Sequence, residues 1–234
     1  MDARRVWIGY EVGVSIGMGR QLAVEQAKGE YIAFVDSDVE LPHKLWLNEM
    51  AAPLKDDNVA GTWTLGTYKH TYPSIARYAI LETDYVLGEI PQVIDRQHYI
   101  TIGMGHTVLK KSVILAAGGF KDMIAGEDRE LTMKIVNSGY IFKFVNHRAF
   151  HKHATSYGNY MNKYVRNLTA PAHAEGESTD GQRPNYGKFI MNFGILPIPI
   201  GLYRYAITGE KAWLWHPILS YSKCLAVAKK LILR

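Results

Sequence analysis

Two aspartates separated by one residue, Asp36 and Asp38, close the apolar run YIAFVD and its turn. Paired carboxylates just past a strand offer the oxygen ligands that Mg²⁺ or Mn²⁺ takes, usually shared with substrate phosphates. Turns after strands also collect acids for a simpler reason, because short polar side chains satisfy turn backbone. On spacing alone both readings stand. The second candidate pair is Glu127-Asp128 in GEDREL. Acids at a helix start complement the macrodipole and cap free N–H groups. The same position holds a carboxylate ionised and rigidly aimed, as a general base requires. Three histidines, His147, His151 and His153, follow the strand-like run YIFKFV. Spacing of four then two does not define a zinc site without a third ligand type. One of them could complete a coordination sphere begun by the aspartates; otherwise they are solvent-facing.

The elements that must carry these groups alternate. Residues 20–28 have helical spacing, with Leu22, Ala23 and Ala27 on one side and Gly29 placed to end the helix. YIAFVD reads as a short buried strand. Pro42 suits the first turn of a helix over 42–50. A strand over 59–65 and a helix over about 73–87 follow. Residues 98–109 read as a strand pair broken by Gly103 and Gly105. Lys111–Ala117 is a short helix stopped by Gly118-Gly119, Asp128–Ser138 a helix ended by Gly139, and YIFKFV a strand. The stretch 168–187 lacks apolar periodicity and reads as a long loop. Alternating helices and strands imply an α/β sheet with ligands at the strands' carboxyl ends.

The order of these runs resembles family 2 glycosyltransferases. GRQLAVEQAKGEYIAFVDSDVELP is similar to the family's A-R-N-x-G-x-x-x-A-x-G-E-Y-I-x-F-x-D-x-D segment. GMGHTVLKKSVILAAGGFKDMIAGEDRELTMKIVNSGYIFKFVNHRAFHKH resembles its second half: G-G-F, then E-D-x-x-L, then G-Y, strand and histidine. The likeness covers about residues 13–165. It implies a GT-A type, Rossmann-like mixed sheet flanked by helices, and inverting transfer from a nucleotide-diphosphate sugar with Mg²⁺ or Mn²⁺ as cofactor. By position it implies donor-binding roles for Arg20, Asp36, Gly103, Gly105 and His106. Asp38 would bind the metal, with Asp36 beside it and His153 reaching the metal or diphosphate; His151 is the second choice. Asp128 would deprotonate the acceptor hydroxyl, with Glu127 as the alternative base, and Gly118, Gly119 and Phe120 would shape the acceptor wall.

Departures matter too. The family's A-R-N-x-G is here Gly19-Arg20-Gln21-Leu22-Ala23, without the asparagine and second glycine. The Q-x-x-R-W motif of processive synthases is absent, which favours transfer of one sugar. The family's opening strand–helix–strand unit has no counterpart, since twelve residues precede Gly13. A start lying upstream of this chain is the reading favoured over a lost half of the donor pocket.

Composition sets outer bounds. The 234 residues are 47% apolar and 21% charged, which excludes a disordered or collagen-like chain. Cys224 is the single cysteine, so no internal disulfide or cysteine-rich metal site exists. The net charge of +5 is uneven: residues 184–234 hold seven Lys or Arg against Glu210 alone. Between Lys188 and Arg204, and between Lys211 and Lys223, the uncharged stretches are interrupted by Pro197, Pro199 and Pro217. Neither reaches the roughly 20 apolar residues of a spanning helix. Trp213, Trp215, Tyr203, Tyr205 and Tyr221 suit headgroup depth, and Lys and Arg beside them suit anionic lipid. The expectation is a GT-A catalytic domain over 1–165, a flexible loop over 166–187 and C-terminal amphipathic helices over 188–234. These would lie on the cytoplasmic face of a membrane, or else pack on the domain. A lipid-linked sugar is then a natural acceptor. Nucleic acid is not an expected partner, because the basic residues are interleaved with aliphatics. The rival reading is a non-catalytic, glycosyltransferase-like scaffold at the membrane.

Overall fold

A computed structural model describes residues 14–169 and 196–232. In chain order the elements are α1 (Ile16–Gln26), β1 (Tyr31–Val35), β2 (Val39–Glu40), α2 (Trp46–Ala51), β3 (Val59–Trp63), β4 (Gly66–Thr67) and α3 (Ser74–Leu87). Then follow β5 (Val93–Ile94), β6 (His106–Lys110), α4 (Lys111–Ala116), α5 (Glu127–Asn137), β7 (Ile141–Phe144), β8 (Ala149–His151) and α6 (Tyr157–Thr169). Two helices, α7 (Pro197–Thr208) and α8 (Trp215–Ile232), close the chain. Contacts divide it into two units. Residues up to Thr67 with Glu89–His151 make the first; Tyr68–Gly88, Lys152–Thr169 and the described residues from 196 onward make the second.

The first unit holds both sheets. Five strands run in the order β1-β6-β3-β7-β5, with β3 and β7 parallel and the remaining pairs antiparallel. A smaller sheet runs β2-β8-β4. β3 is buried along its whole length, and Gly61 lets the Phe142 ring lie where a Cβ would sit 2.7 Å from its nearest carbon. Trp46, Met50, Leu54, Val59 and Val108 form the core on one side, and the Thr62 hydroxyl donates to Met50 O at 2.6 Å. α1 starts earlier than its apolar spacing predicts, because Ser15 caps it by accepting the Met18 N–H at 3.0 Å.

Three expectations are corrected here. β1 is an edge strand, paired among the described residues with β6 alone. Ile32 and Phe34 turn inward while Ala33 and Val35 are exposed, so it is half-buried. The apolar outward residues hid the alternation. α2 starts at Trp46, not at Pro42, and residues 42–45 form the turn before it. Of the expected strand pair over 98–109, only β6 forms; residues 101–105 are irregular backbone leading into it.

The second unit is helical. Ile75 and Tyr78 of α3 pack with Ala212, Trp213 and Leu219. The Glu82 carboxylate gathers three donors: Tyr78 Oη at 2.9 Å, Lys223 Nζ at 2.6 Å, and the Tyr160 hydroxyl. Burial and this carboxylate push both phenols far above their usual range. Pro197 and Pro217 open α7 and α8 instead of interrupting them, because a first helical turn has no need of their missing N–H. Trp213 is 3% exposed, which removes it from the aromatics expected at headgroup depth. Trp215 Nε1 donates to Ser74 Oγ at 2.9 Å, and the Arg204 guanidinium lies 4.5 Å from the Tyr85 ring centre. Part of the basic, aromatic C-terminal segment is therefore used inside this unit. Among the described residues, no helix is long and apolar enough to cross a membrane. The expected loop over 166–187 lies outside the described residues from 170 on, and residues 166–169 finish α6.

Candidate active site

The chain leaves β1 at Val35 and turns at once. Asp36 donates its N–H to Gly105 O at 3.1 Å, and its own carbonyl accepts from Val39 N at 3.0 Å. That turn aims Asp36 and Asp38 before β2 begins. β2 pairs antiparallel with β8, Val39 opposite His151 and Glu40 opposite Phe150. The pairing brings His151 Nε2 to 3.3 Å from Asp38 Oδ1. Asp36, Asp38 and His151 each present one ligand atom, all within 4.8 Å of one another. Two carboxylate oxygens with one imidazole nitrogen is a donor set that Mn²⁺ or Mg²⁺ accepts. The acids are about two-fifths exposed and His151 a tenth, so a cation or ligand could reach the carboxylates from solvent.

His106, at the start of β6, stacks edge-on to His151 with ring centres 5.7 Å apart. Burial, and then the neighbouring His151, push its pKa down to about 4, so it is neutral at physiological pH. Its Nδ1 is buried and has no hydrogen-bond partner among the described residues. A buried ring nitrogen left this way costs free energy unless a water or ligand meets it.

Gly105 makes the Asp36 geometry possible: a Cβ there would lie 2.6 Å from Asp36 Oδ2. The Gly105→Ala variant is therefore expected to fold but to displace the Asp36 carboxylate. Its affinity for Mn²⁺ should fall at least about tenfold, the scale of disturbing a ligand's orientation. Calorimetric titration checks this, and unchanged Mn²⁺ affinity in folded Gly105→Ala would separate Asp36 from the site.

The second pair of acids approaches from α5. Gly126, at φ +87°, is in the left-handed region that lets the backbone turn sharply into that helix. Arg20 of α1 joins the two groups: Nη1 pairs with Glu127 Oε1, and Nη2 lies 3.5 Å from Asp36 Oδ1. Asp128 Oδ1 accepts the Arg129 N–H at 2.7 Å. Burial raises the pKa of Glu127 against the lowering charge of Arg20. It raises Asp128 too, against the backbone hydrogen bond from Arg129. The two acids thus differ in engagement. Glu127 is tied to Arg20, whereas Asp128 is held by backbone at a helix start.

Gln21 stands where the family pattern has asparagine, and its Oε1 accepts the Phe120 N–H at 2.9 Å. Gly119, at φ +71°, leaves room for it, since a Cβ there would meet that oxygen at 2.2 Å. Phe120 is buried against Phe34, ring centres 5.4 Å apart. Gly103 and Gly118 have open space where a Cβ would point. His153 belongs to the second unit, where Lys163 Nζ lies 2.8 Å from its Nδ1. Sequence reasoning missed the Arg20–Glu127 pair, whose members lie 107 positions apart with no local signal. It also missed β8, too short to show a pattern.

Residues 13–112 match the family described as Glycosyl transferase family 2. Over these residues, less than half of its length, the chain is similar to glycosyl transferase family 2. Among solved structures, the chain is similar to the mannosyltransferase PcManGT from Pyrobaculum calidifontis in complex with GDP-Man and Mn²⁺. The identity is 15% and the TM-score 0.57, over 92% of this chain and 66% of that one. It is also similar to S. aureus TarS (residues 1–349), at 17% identity and TM-score 0.42, over 64% of this chain and 43% of that one. The chain thus spans less than two thirds of either solved chain. Comparison with curated protein sequences gives no match. The likeness to the mannosyltransferase shows the fold: a GT-A type mixed sheet flanked by helices.

Proposed function

We propose that this chain carries out metal-dependent, inverting transfer of one sugar from a nucleotide-diphosphate sugar to an acceptor hydroxyl. One observation carries the reading. Arg20 bridges Asp36, from the group that can hold a cation, to Glu127, the neighbour of the candidate base. The family match over residues 13–112 supports it, and so does a neighbour of the same fold in complex with GDP-Man and Mn²⁺.

Asp36, Asp38 and His151 hold the cation, which when bound supplies Lewis-acid neutralisation of the donor diphosphate. Arg20 keeps Asp36 and Glu127 in place and lowers the repulsion between them. Neutral His106 presents an unpartnered ring nitrogen beside the site, a hydrogen-bonding group for the donor. Asp128 takes the proton of the acceptor hydroxyl as that oxygen attacks the anomeric carbon from the face opposite the leaving diphosphate. Gly103 and Gly105 line the donor, and Gly118, Gly119 and Phe120 the acceptor.

The acceptor is proposed to be a lipid-linked sugar, with residues 1–165 catalytic and residues 188–234 on the cytoplasmic membrane surface. The support is in α7, where Ile198, Leu202, Tyr203 and Ile207 are all exposed. Apolar side chains left outward beside a basic segment are what an interfacial helix presents.

The test is release of nucleoside diphosphate from a panel of UDP- and GDP-sugars, with sugar and lipid-linked acceptors, in Mn²⁺. Metal-dependent release, with an inverted anomeric centre by NMR, is expected. Donor binding without release for any acceptor would favour the non-catalytic scaffold, and a retained configuration would overturn the proposed attack.

A further inference from the structure

His147, left aside by the transfer chemistry, lies in a second cluster. His43 Nε2 is 3.2 Å from Glu49 Oε2, and His147 Nε2 is 3.5 Å from the same oxygen. The two imidazole rings meet edge-on, 5.5 Å apart at their centres. All three ligand atoms lie within 4.8 Å of one another. Glu49 Oε2 is shielded from solvent yet has no hydrogen-bond partner among the described residues. A carboxylate oxygen faced by two ring nitrogens, without a hydrogen bond to either, lacks the atom that would satisfy all three.

We infer that His43, Glu49 and His147 bind a transition-metal ion of the zinc class. Two imidazoles and one carboxylate make a ligand set that Zn²⁺ takes, leaving a fourth position for water. The spacing agrees. Tetrahedral bonds of about 2.0–2.1 Å place neighbouring ligand atoms roughly 3.3–3.4 Å apart, and the two nitrogen–oxygen separations fall on either side of that value. The surroundings fix the ligands. Glu49 is on α2, and Trp46 on the same helix donates its indole N–H to His147 O at 2.8 Å. Backbone anchoring of a ligand-bearing loop keeps such a site formed before the ion arrives.

The site is separate from the cluster of Asp36, Asp38 and His151 but shares its scaffold. β2 leads from Asp38 toward His43, and β8, paired with it through Val39–His151 and Glu40–Phe150, is preceded in the chain by His147. The two clusters therefore flank one short ladder in sequence, Asp38 just before Val39 and His43 three residues after Glu40. The chemistry separates them too: the nitrogen-rich cluster suits Zn²⁺, the oxygen-rich cluster Mn²⁺ or Mg²⁺. The inference does not depend on the proposed transfer reaction.

The experiment is titration of the purified full chain with ZnCl₂, read by calorimetry and by metal content after dialysis. The wild type is expected to keep one Zn²⁺ per chain at this site. His43→Ala, His147→Ala and Glu49→Gln should each weaken that binding about 100-fold, and Asp38→Ala should leave it intact. Circular dichroism checks that each variant is folded. X-ray absorption of the zinc-loaded wild type reads the site without any variant, and a shell of nitrogen and oxygen with two imidazoles is expected. A sulfur ligand would place the ion on Cys224 and overturn the inference. Equal loss in Asp38→Ala, or full retention in His147→Ala, would overturn it as well. So would a wild type that binds no Zn²⁺.

Discussion

Replacing Asp128 with asparagine is expected to lower kcat by about 10²–10⁴-fold, the usual contribution of a positioned general base. Nucleotide binding in Mn²⁺ should stay close to wild type, because this side chain is placed on the acceptor side of the proposed reaction. The change is nearly isosteric and keeps an acceptor oxygen for the Arg129 N–H, so it removes proton affinity without removing shape. The pH profile supplies an independent sign. Burial holds the Asp128 carboxyl above its ordinary range, so the acidic limb of kcat/KM should lie above about pH 3.9. Below that limb the carboxyl keeps its proton and cannot accept another, so the rate falls as pH falls. Steady-state kinetics across pH, with calorimetry for binding, measure both. Should Glu127→Gln lose the same factor with intact binding while Asp128→Asn turns over normally, the base is Glu127. The expectation for Glu127→Gln is different: Arg20 loses its partner, and donor binding weakens.

The second large effect is at Asp38. In Asp38→Ala the Mn²⁺-dependent binding of UDP or GDP is expected to weaken by at least about 100-fold, the upper range for disturbing a metal's ligation. The reason is electrostatic. Asp36 and Glu127 share the Arg20 cation, Asp38 adds a carboxylate beside Asp36, and a diphosphate brings further negative charge. Two like charges about 4 Å apart repel by roughly 4 kcal/mol at the effective dielectric of a protein surface. A diphosphate is therefore unfavourable there until a divalent cation intervenes. Titration with each nucleotide, with and without Mn²⁺, reads the effect directly. Tight Mn²⁺-dependent binding in Asp38→Ala would remove Asp38 from the metal. No wild-type binding to either nucleotide would move the weight to the scaffold reading.

The parts legible from sequence share a local cause. β3, α3, α4, α5 and β7 each advertise themselves through apolar periodicity or a glycine stop within a dozen residues. β1 was legible as a strand but not as an edge, because Ala33 and Val35 are apolar and yet exposed. The prolines of the C-terminal segment read as breaks, whereas they stand in first turns. Trp213 looked like an interfacial aromatic and is a core residue. Which faces of such a segment are buried depends on partners such as Tyr78 and Tyr85, far away in the sequence. The order of the acidic motifs named the candidate groups. The histidine at the acids could not be read from spacing, because β8 ends at His151 and the strand that presents it is three residues long. The cluster of His43, Glu49 and His147 had no sequence signature, since His147 stands far along the chain from the other two.

That short ladder also restricts how the gene can change. Side chains in a strand alternate between faces, so a one-residue slip turns every one of them over. Val39 and Glu40 lie between Asp38 and His43, and their ladder partners, His151 and Phe150, come after His147. Losing or gaining one codon in either stretch would change the spacing between the two clusters. A matching change in the other stretch would be needed to restore it. Substitutions within 39–42 and 148–150 should therefore be tolerated far more readily than insertions or deletions. The spacing of the two clusters is thus written in two distant places of the chain.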